Sequence, residues 1–253
     1  MHGSTSQSLA GNRPELVRNN LAFVLVRPVF LGNLGSAARV LKNFGFVRLR
    51  LVDPPRTYKE SEARRMSAGA FDVLKAAEVF TSLSLALNDV SLAIGTTAGH
   101  FRAQRPAPLL DVIQRAAVVC QQQTVAFVFG DERNGLTRQE LSRCHQVITI
   151  PTEPGFPSLN IAQAVAIVAY EMTRTSPVDT LPSEGRYPIG QADDLLFSQI
   201  GELLDRIGFS RKYNRQVVLD ELRSAYHRMA PSTRELDLLH GILRRIIQEL
   251  PEQ

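Results

Sequence analysis

Three short stretches of the chain gather small, polar and charged residues in combinations that a ligand site needs. The first is Gly32-Asn33-Leu34-Gly35 with Arg39 beyond it. It lies between an apolar run and a helical pattern, so its backbone N–H groups are free to hold an anion such as phosphate. The same residues equally suit a tight turn closed by two glycines, with Arg39 solvated on the helix. The second is FVFGDERNGLT, residues 127–137, in which a buried strand ends at Gly130 and an Asp131-Glu132-Arg133-Asn134-Gly135 loop leads to a helix capped by Thr137 with Glu140. Ligands in open α/β sheets bind at such strand ends, although a plain loop with a Glu/Arg surface pair fits the residues as well. The third is IPTEPGFPSLNIAQAVAIVAYE, residues 150–171, where Pro151, Pro154 and Pro157 stiffen a loop that delivers Ser158 and Asn160 to the mouth of a helix. A rigid loop of this kind suits the polar edge of a cofactor. Alternatively, Ser158 is an ordinary N-cap.

Several chemistries lose support. G-x-x-G is not the dinucleotide fingerprint G-x-G-x-x-G, and there is no G-x-x-x-x-G-K-[ST] phosphate loop and no G-x-S-x-G nucleophile elbow. Cys120 and Cys144 cannot build a disulfide framework and have no metal-ligand spacing, so reduced thiols and no metal are expected. The net charge of +4 comes from 29 Lys plus Arg against 25 Asp plus Glu. Lys appears only at Lys42, Lys59, Lys75 and Lys212, and the rest is Arg, which suits bidentate phosphate contacts. The excess favours RNA without demanding it, and a GC-rich genome would also enrich Arg. No apolar run approaches the ~20 residues of a membrane span or has the form of a signal peptide, which points to the cytoplasm.

The elements that must position these loops can be read from the apolar pattern. LAFVLV, Leu21 to Val26, is a continuous apolar run typical of a strand buried on both faces, ended by Arg27-Pro28. From Asn33, Leu34, Ala37, Ala38, Leu41 and Phe44 mark one helix face, and Gly45 stops it. Further strands are expected at Val47 to Val52, Val90 to Ile94, Val125 to Phe129 and Val147 to Ile150, with helices between. Such alternation implies a doubly wound parallel sheet. RTSPVDTLPSEGRYPIGQ, residues 174–191, has the composition of a linker, and three helical patterns follow: about Ala192 to Ile207, about Tyr213 to Arg228, and Thr233 to Leu250 opened by Ser232 with Glu235. The plan is a flexible arm over 1–18, a catalytic-sized domain over 19–174, a linker over 175–191 and a helical domain over 192–253.

RPVFLGNLGSAARVLKNFG, FGDERNGL and IPTEPGFPSLNIAQAVAIVAYE resemble, in order, the three motifs of the TrmH-like branch of SPOUT-class RNA 2′-O-methyltransferases. The resemblance runs from about Leu21 to Arg174. LAIGTTAGHFR and the tail segments ELLDRIGF and ELDLLHGILRRI are similar to the bacterial TrmJ-type tRNA (cytidine/uridine-2′-O-)methyltransferases. The resemblance implies a SPOUT fold: a Rossmann-like parallel sheet with a C-terminal trefoil knot, which strand reading alone could not give, followed by a small all-helical module. It also implies S-adenosylmethionine as cofactor, tRNA as substrate and a homodimer whose sites borrow surface from each other. By match, Thr96, Thr97, Ala98, Gly130, Ile150, Pro157, Ser158 and Leu159 line the cofactor pocket. Arg39 matches the catalytic arginine, Asn33 its neighbouring asparagine, and Glu132, Ser158 and Asn160 the polar residues of the second and third motifs.

The implied reaction aligns a ribose 2′-hydroxyl with the sulfonium methyl while the hydroxyl proton leaves. A guanidinium is a poor general base, so the first role for Arg39 is stabilising phosphate and alkoxide, with proton abstraction second. Asn33, Glu132, Ser158 and Asn160 would orient the ribose, Arg39 or the loop. The chain departs from the family pattern at Thr97-Ala98-Gly99-His100, where relatives carry serine and arginine, and at Pro157, where they carry a small hydroxyl residue. His100, Arg102 and Arg105 could restore that charge. Arg206, Arg211, Lys212, Arg215, Arg223, Arg228, Arg244 and Arg245 could grip tRNA or form solvated basic faces. Position 32 of the anticodon loop is the expected target; ribosomal RNA methylation and a non-catalytic RNA-binding knot protein are the alternatives.

Overall fold

The computed structural model describes residues 18–99, 106–175, 191–209, 214–229, 231 and 233–250. The N-terminal arm expected over 1–18 and the linker over 175–191 fall almost wholly outside these residues, as do His100, Arg102, Arg105, Arg211, Lys212 and Ser232. Six strands form one sheet: β1 (Leu21–Val26), β2 (Leu49–Val52), β3 (Glu78–Phe80), β4 (Leu92–Thr96), β5 (Val125–Phe129) and β6 (Gln146–Ile148). Their order is β3-β2-β1-β5-β4-β6, and every neighbouring pair is parallel.

The apolar run of β1 is explained by burial on both sides. Leu21, Phe23 and Leu25 point into one apolar cluster, whereas Ala22, Val24 and Val26 point into a second on the opposite face. The first cluster is covered by α1 (Leu31–Asn43), α5 (Leu109–Val119) and α7 (Ile161–Arg174), and it centres on the Phe23 ring, 5.4 Å from Phe46 and 6.2 Å from both Phe127 and Phe129. The short helices α2 (Ser61–Ser67) and α3 (Phe71–Lys75) pack outside α1. The backbones of α1 and α2 approach so closely that a Cβ on Gly35 would stand 2.2 Å from the Ala63 carbonyl oxygen. On the other face lie α4 (Leu83–Ala86) and α6 (Arg138–Ser142).

The expected strands are present with shifted ends. β2 begins two residues after Val47, β4 covers Leu92–Thr96 in place of Val90 to Ile94, and β6 stops at Ile148. The edge strand β3, with the exposed pair Glu78 and Val79, has no apolar run to announce it. Beyond residue 190 come α8 (Gln191–Arg206), α9 (Arg215–Met229) and α10 (Thr233–Glu249), joined around Leu196, Phe197, Leu219, Tyr226 and Leu236. A buried polar seam ties these helices to α4 and α6. His227 Nδ1 meets the Ser142 carbonyl at 2.9 Å, its Nε2 meets Asp193 at 3.1 Å, Arg223 pairs with Asp193 at 2.5 Å, and Asp194 is bonded by Arg143 and Ser84. No helix among the described residues is long and apolar enough to cross a membrane.

Candidate active site

The site lies at the carboxyl ends of β1, β4, β5 and the chain after β6, where an open parallel sheet exposes its loops. A cleft of about 340 Å³ is lined by Thr96, Thr97, Ala98 and Gly99 after β4, by Phe129 through Leu136 after β5, and by Ile150, Pro157, Ser158, Leu159, Ile161 and Ala164. This lies within the span of small-molecule pockets, roughly 300–1,000 Å³. All eight residues assigned to cofactor binding from the sequence are in its wall. Gly130 is required there by space: a Cβ would sit 2.0 Å from the Gly135 carbonyl carbon and 2.1 Å from the Leu136 nitrogen. Asp131, only 8% exposed, folds the loop by accepting the amides of Arg133 at 2.9 Å and Asn134 at 2.7 Å. Burial pushes its carboxyl up, yet the Asn134 and Arg133 amides and the Arg27 guanidinium outweigh burial and hold it below the ordinary carboxylate value.

A line of hydrogen bonds joins the three motifs beside this cleft. The Glu132 carboxylate accepts from the Val29 amide at 2.9 Å, the Phe30 amide at 3.4 Å and Asn33 Nδ2 at 2.7 Å. Asn33 Oδ1 in turn accepts from Asn160 Nδ2 at 2.8 Å, and Asn160 Oδ1 accepts the Ala162 amide at 2.8 Å. Each contact has a local reason. The N-cap position of α1 is Phe30, which has no capping side chain, so Glu132 supplies both acceptor and negative charge at that helix start. Asn160 is the N-cap of α7 and forms a capping box with Gln163.

Two alternatives left open by the sequence are excluded. Ser158 is not the N-cap, a role Asn160 fills; its exposed hydroxyl has no hydrogen-bond partner among the described residues. Glu132 and Arg133 are not a surface pair, because Glu132 turns to Asn33 and Arg133 lies over the Phe30 ring at 5.9 Å. The capping box of Thr137 with Glu140 is present as read.

Arg39 stands apart. It is exposed, has no ion-pair or hydrogen-bond partner among the described residues, and is not in the cleft wall. Six residues of helix rotate it by about 120° from Asn33. Asn33 and Asn160 also stay out of the wall; Asn33 bonds Glu132, which is in it, and Asn160 bonds Asn33. Sequence reasoning did not single out Phe129, Leu136, Ile161 or Ala164 as lining; Ile161 and Ala164 could have been found from their i, i+3 spacing on the inner face of α7. Of the basic tail residues, Arg223 is 9% exposed and holds Asp193, Arg206 bonds Glu202 and the carbonyl of Ile247, Arg215 pairs with Asp205, and Arg245 pairs with Glu249. Among the described residues no group of three His, Cys, Asp or Glu is placed to hold a metal.

Comparison with known proteins agrees with this geometry. Residues 20–170 match the SpoU rRNA Methylase family, and residues 192–253 match the C-terminal domain of the tRNA methyltransferase TrmJ. The tRNA (cytidine/uridine-2′-O-)-methyltransferase TrmJ of Pectobacterium atrosepticum is 37% identical over 237 residues, covering 90% of this chain and 97% of its own. The enzyme of the same name from Photorhabdus laumondii is 35% identical over 233 residues, covering 90% of this chain and 96% of its own. The crystal structure of TrmJ from Z. mobilis ZM4 superposes with a TM-score of 0.77 at 29% identity, covering 89% of this chain and 98% of that one. With a family match over more than half its length and relatives at 35–37% identity over 90% of it, the chain belongs to the SpoU methylase family, in its TrmJ branch.

Proposed function

We propose that this chain methylates the ribose 2′-hydroxyl of a tRNA pyrimidine, at position 32 of the anticodon loop, with S-adenosylmethionine as donor. The observation that carries this reading is the line Glu132-Asn33-Asn160, which draws three distant motifs together beside a cleft of cofactor size. The cleft fits the cofactor chemically. Leu136, Ile150, Leu159 and Ile161 offer apolar walls for a nucleobase, while loop amides, Thr97 and Ser158 offer polar partners. Among the described residues Glu132 accepts only from neutral donors and has no ion-pair partner, so its carboxylate on the cleft wall suits a cation such as a sulfonium better than a phosphate.

The bound cofactor supplies a methyl group made electrophilic by the sulfonium. The chain's own part is positioning. Ser158 and Asn160 hold the ribose and the third loop, Asn33 and Glu132 fix the start of α1, and Arg39 on that helix stabilises the RNA phosphate and the oxygen as its proton leaves. Because Arg39 is exposed and is not in the cleft wall of its own chain, the reading includes a homodimer in which each site is completed by the other subunit. It includes the trefoil knot in the chain after β5, a methyltransferase domain over 19–174 and a tRNA-gripping helical domain over 192–253. The match of 192–253 to a tRNA methyltransferase domain supports tRNA over ribosomal RNA. The test is a full-length tRNA otherwise unmodified and assembled with either ribose or 2′-deoxyribose at nucleotide 32. Methyl incorporation into the ribose form alone is expected; equal incorporation into both rejects position 32, and incorporation into neither rejects methylation of that tRNA.

A further inference from the structure

Arg27, the first residue of the stretch RPVFLGNLGSAARVLKNFG, follows β1 and directs its side-chain contacts to the loop that walls the cleft. It follows β1 with φ at +50°, a left-handed conformation that strains any residue but glycine or asparagine. Its amide is fixed to the Val52 carbonyl at 2.8 Å. From there one guanidinium reaches the Asp131 carboxylate at 3.3 Å, the Gly135 carbonyl at 3.4 Å and both oxygens of Glu140, one of them at 3.1 Å. Asp131 opens the loop and Gly135 closes it, the two joined by the Gly135 amide to the Asp131 carbonyl at 2.9 Å. Glu140 anchors the following helix by accepting the Thr137 amide at 2.7 Å. Residues 130–136 line the cleft without a break, whereas Arg27 lies outside it.

We propose that Arg27 is a positioning residue that clips both ends of loop 130–136 to the end of β1 and so presets the cofactor-binding wall. Strained backbone persists where the surroundings over-determine it, and here four acceptor groups do so. A loop preset in its bound form spares the ordering cost of binding, so the effect of Arg27 is on cofactor affinity more than on the chemical step. The inference rests on the reading of the cleft as the S-adenosylmethionine site.

The full chain and its Arg27→Gly, Arg27→Asn and Arg27→Lys variants are titrated calorimetrically with S-adenosylhomocysteine and assayed at saturating S-adenosylmethionine. Gly and Asn adopt the left-handed backbone readily, so these variants remove the guanidinium without adding strain. The expected result is a Kd raised about tenfold or more in both, a kcat changed by less than about threefold, and unfolding temperatures near wild type. Arg27→Lys, a point charge without the fork, should recover part of the affinity. Wild-type affinity in Arg27→Gly overturns the inference. So does a fall in unfolding temperature that accounts for the loss, since Arg27 would then only stabilise the fold. A wild-type chain that binds no S-adenosylhomocysteine overturns the reading of the cleft itself, and the inference with it.

Discussion

At the scale of single residues, the site depends on side chains whose partners are far away in sequence. Glu132 reaches back 99 positions to Asn33, and Asn33 reaches forward 127 to Asn160. Their types and loops were legible in the sequence, because small and polar residues at strand ends mark a ligand site. The bonds between them were not, because nothing in local spacing records which loop folds against which. Gly130 shows the same limit: its place at a strand end was readable, but its necessity comes from the Gly135 and Leu136 backbone that closes over it. Gly130→Ala should therefore destabilise the protein by about 1–3 kcal/mol and weaken S-adenosylmethionine binding, because backbone must move to admit the methyl group. Calorimetric titration and denaturant unfolding check this; unchanged affinity would mean that the loop shape is not what the cofactor needs.

At the scale of elements, both helix starts at the site join a structural duty to a functional one. Asn160 caps α7 and also donates to Asn33, and two substitutions separate these duties. Asn160→Ala removes both and should cost about 1 kcal/mol of stability together with methyl-transfer rate. Asn160→Asp keeps a good cap but has no hydrogen to donate, so stability should hold within about 0.5 kcal/mol while the rate falls. Parallel loss, or retention, of stability and rate in the two variants would contradict this division. The apolar runs of β1 and β5 identified themselves because both of their faces are buried. Edge strand β3 did not, because its side chains Glu78 and Val79 face solvent and its pairing with β2 is set by tertiary contact.

At the scale of the whole molecule, the three C-terminal helices are tied to the sheet domain by a seam of ion pairs and hydrogen bonds. Burial pushes the Asp193 carboxyl up, but His227 and Arg223 outweigh it and keep it below the ordinary carboxylate value. A carboxyl depressed in the folded state contributes stability that is full above its unfolded pKa, about 3.9, and is lost as pH falls through the folded value. Urea unfolding over an acid series should therefore show a steeper loss below about pH 4 in the wild type than in Asp193→Asn, which should already be weakened near neutral pH by about 3–5 kcal/mol. Parallel curves would show that the seam contributes nothing at this site. The helices of this module were legible from their periodicity. The seam was not, since nothing in the local sequence marks Asp193, Arg223 and His227 as partners until α4 and α6 are packed against them. Burial by those elements makes Arg223, one of the basic residues that could have gripped tRNA or lain solvated, part of the structure.

Methylation of tRNA by this chain is read out by transfer of labelled methyl from S-adenosylmethionine to unmodified total tRNA, comparing the wild type with Arg39→Ala. Label is expected on an anticodon-loop 2′-oxygen with the wild type, with a fall of at least about a hundredfold for Arg39→Ala and cofactor affinity unchanged in that variant because Arg39 lies outside the cleft wall. Absence of label on tRNA from a wild-type protein that binds the cofactor, or full activity without Arg39, would contradict this expectation.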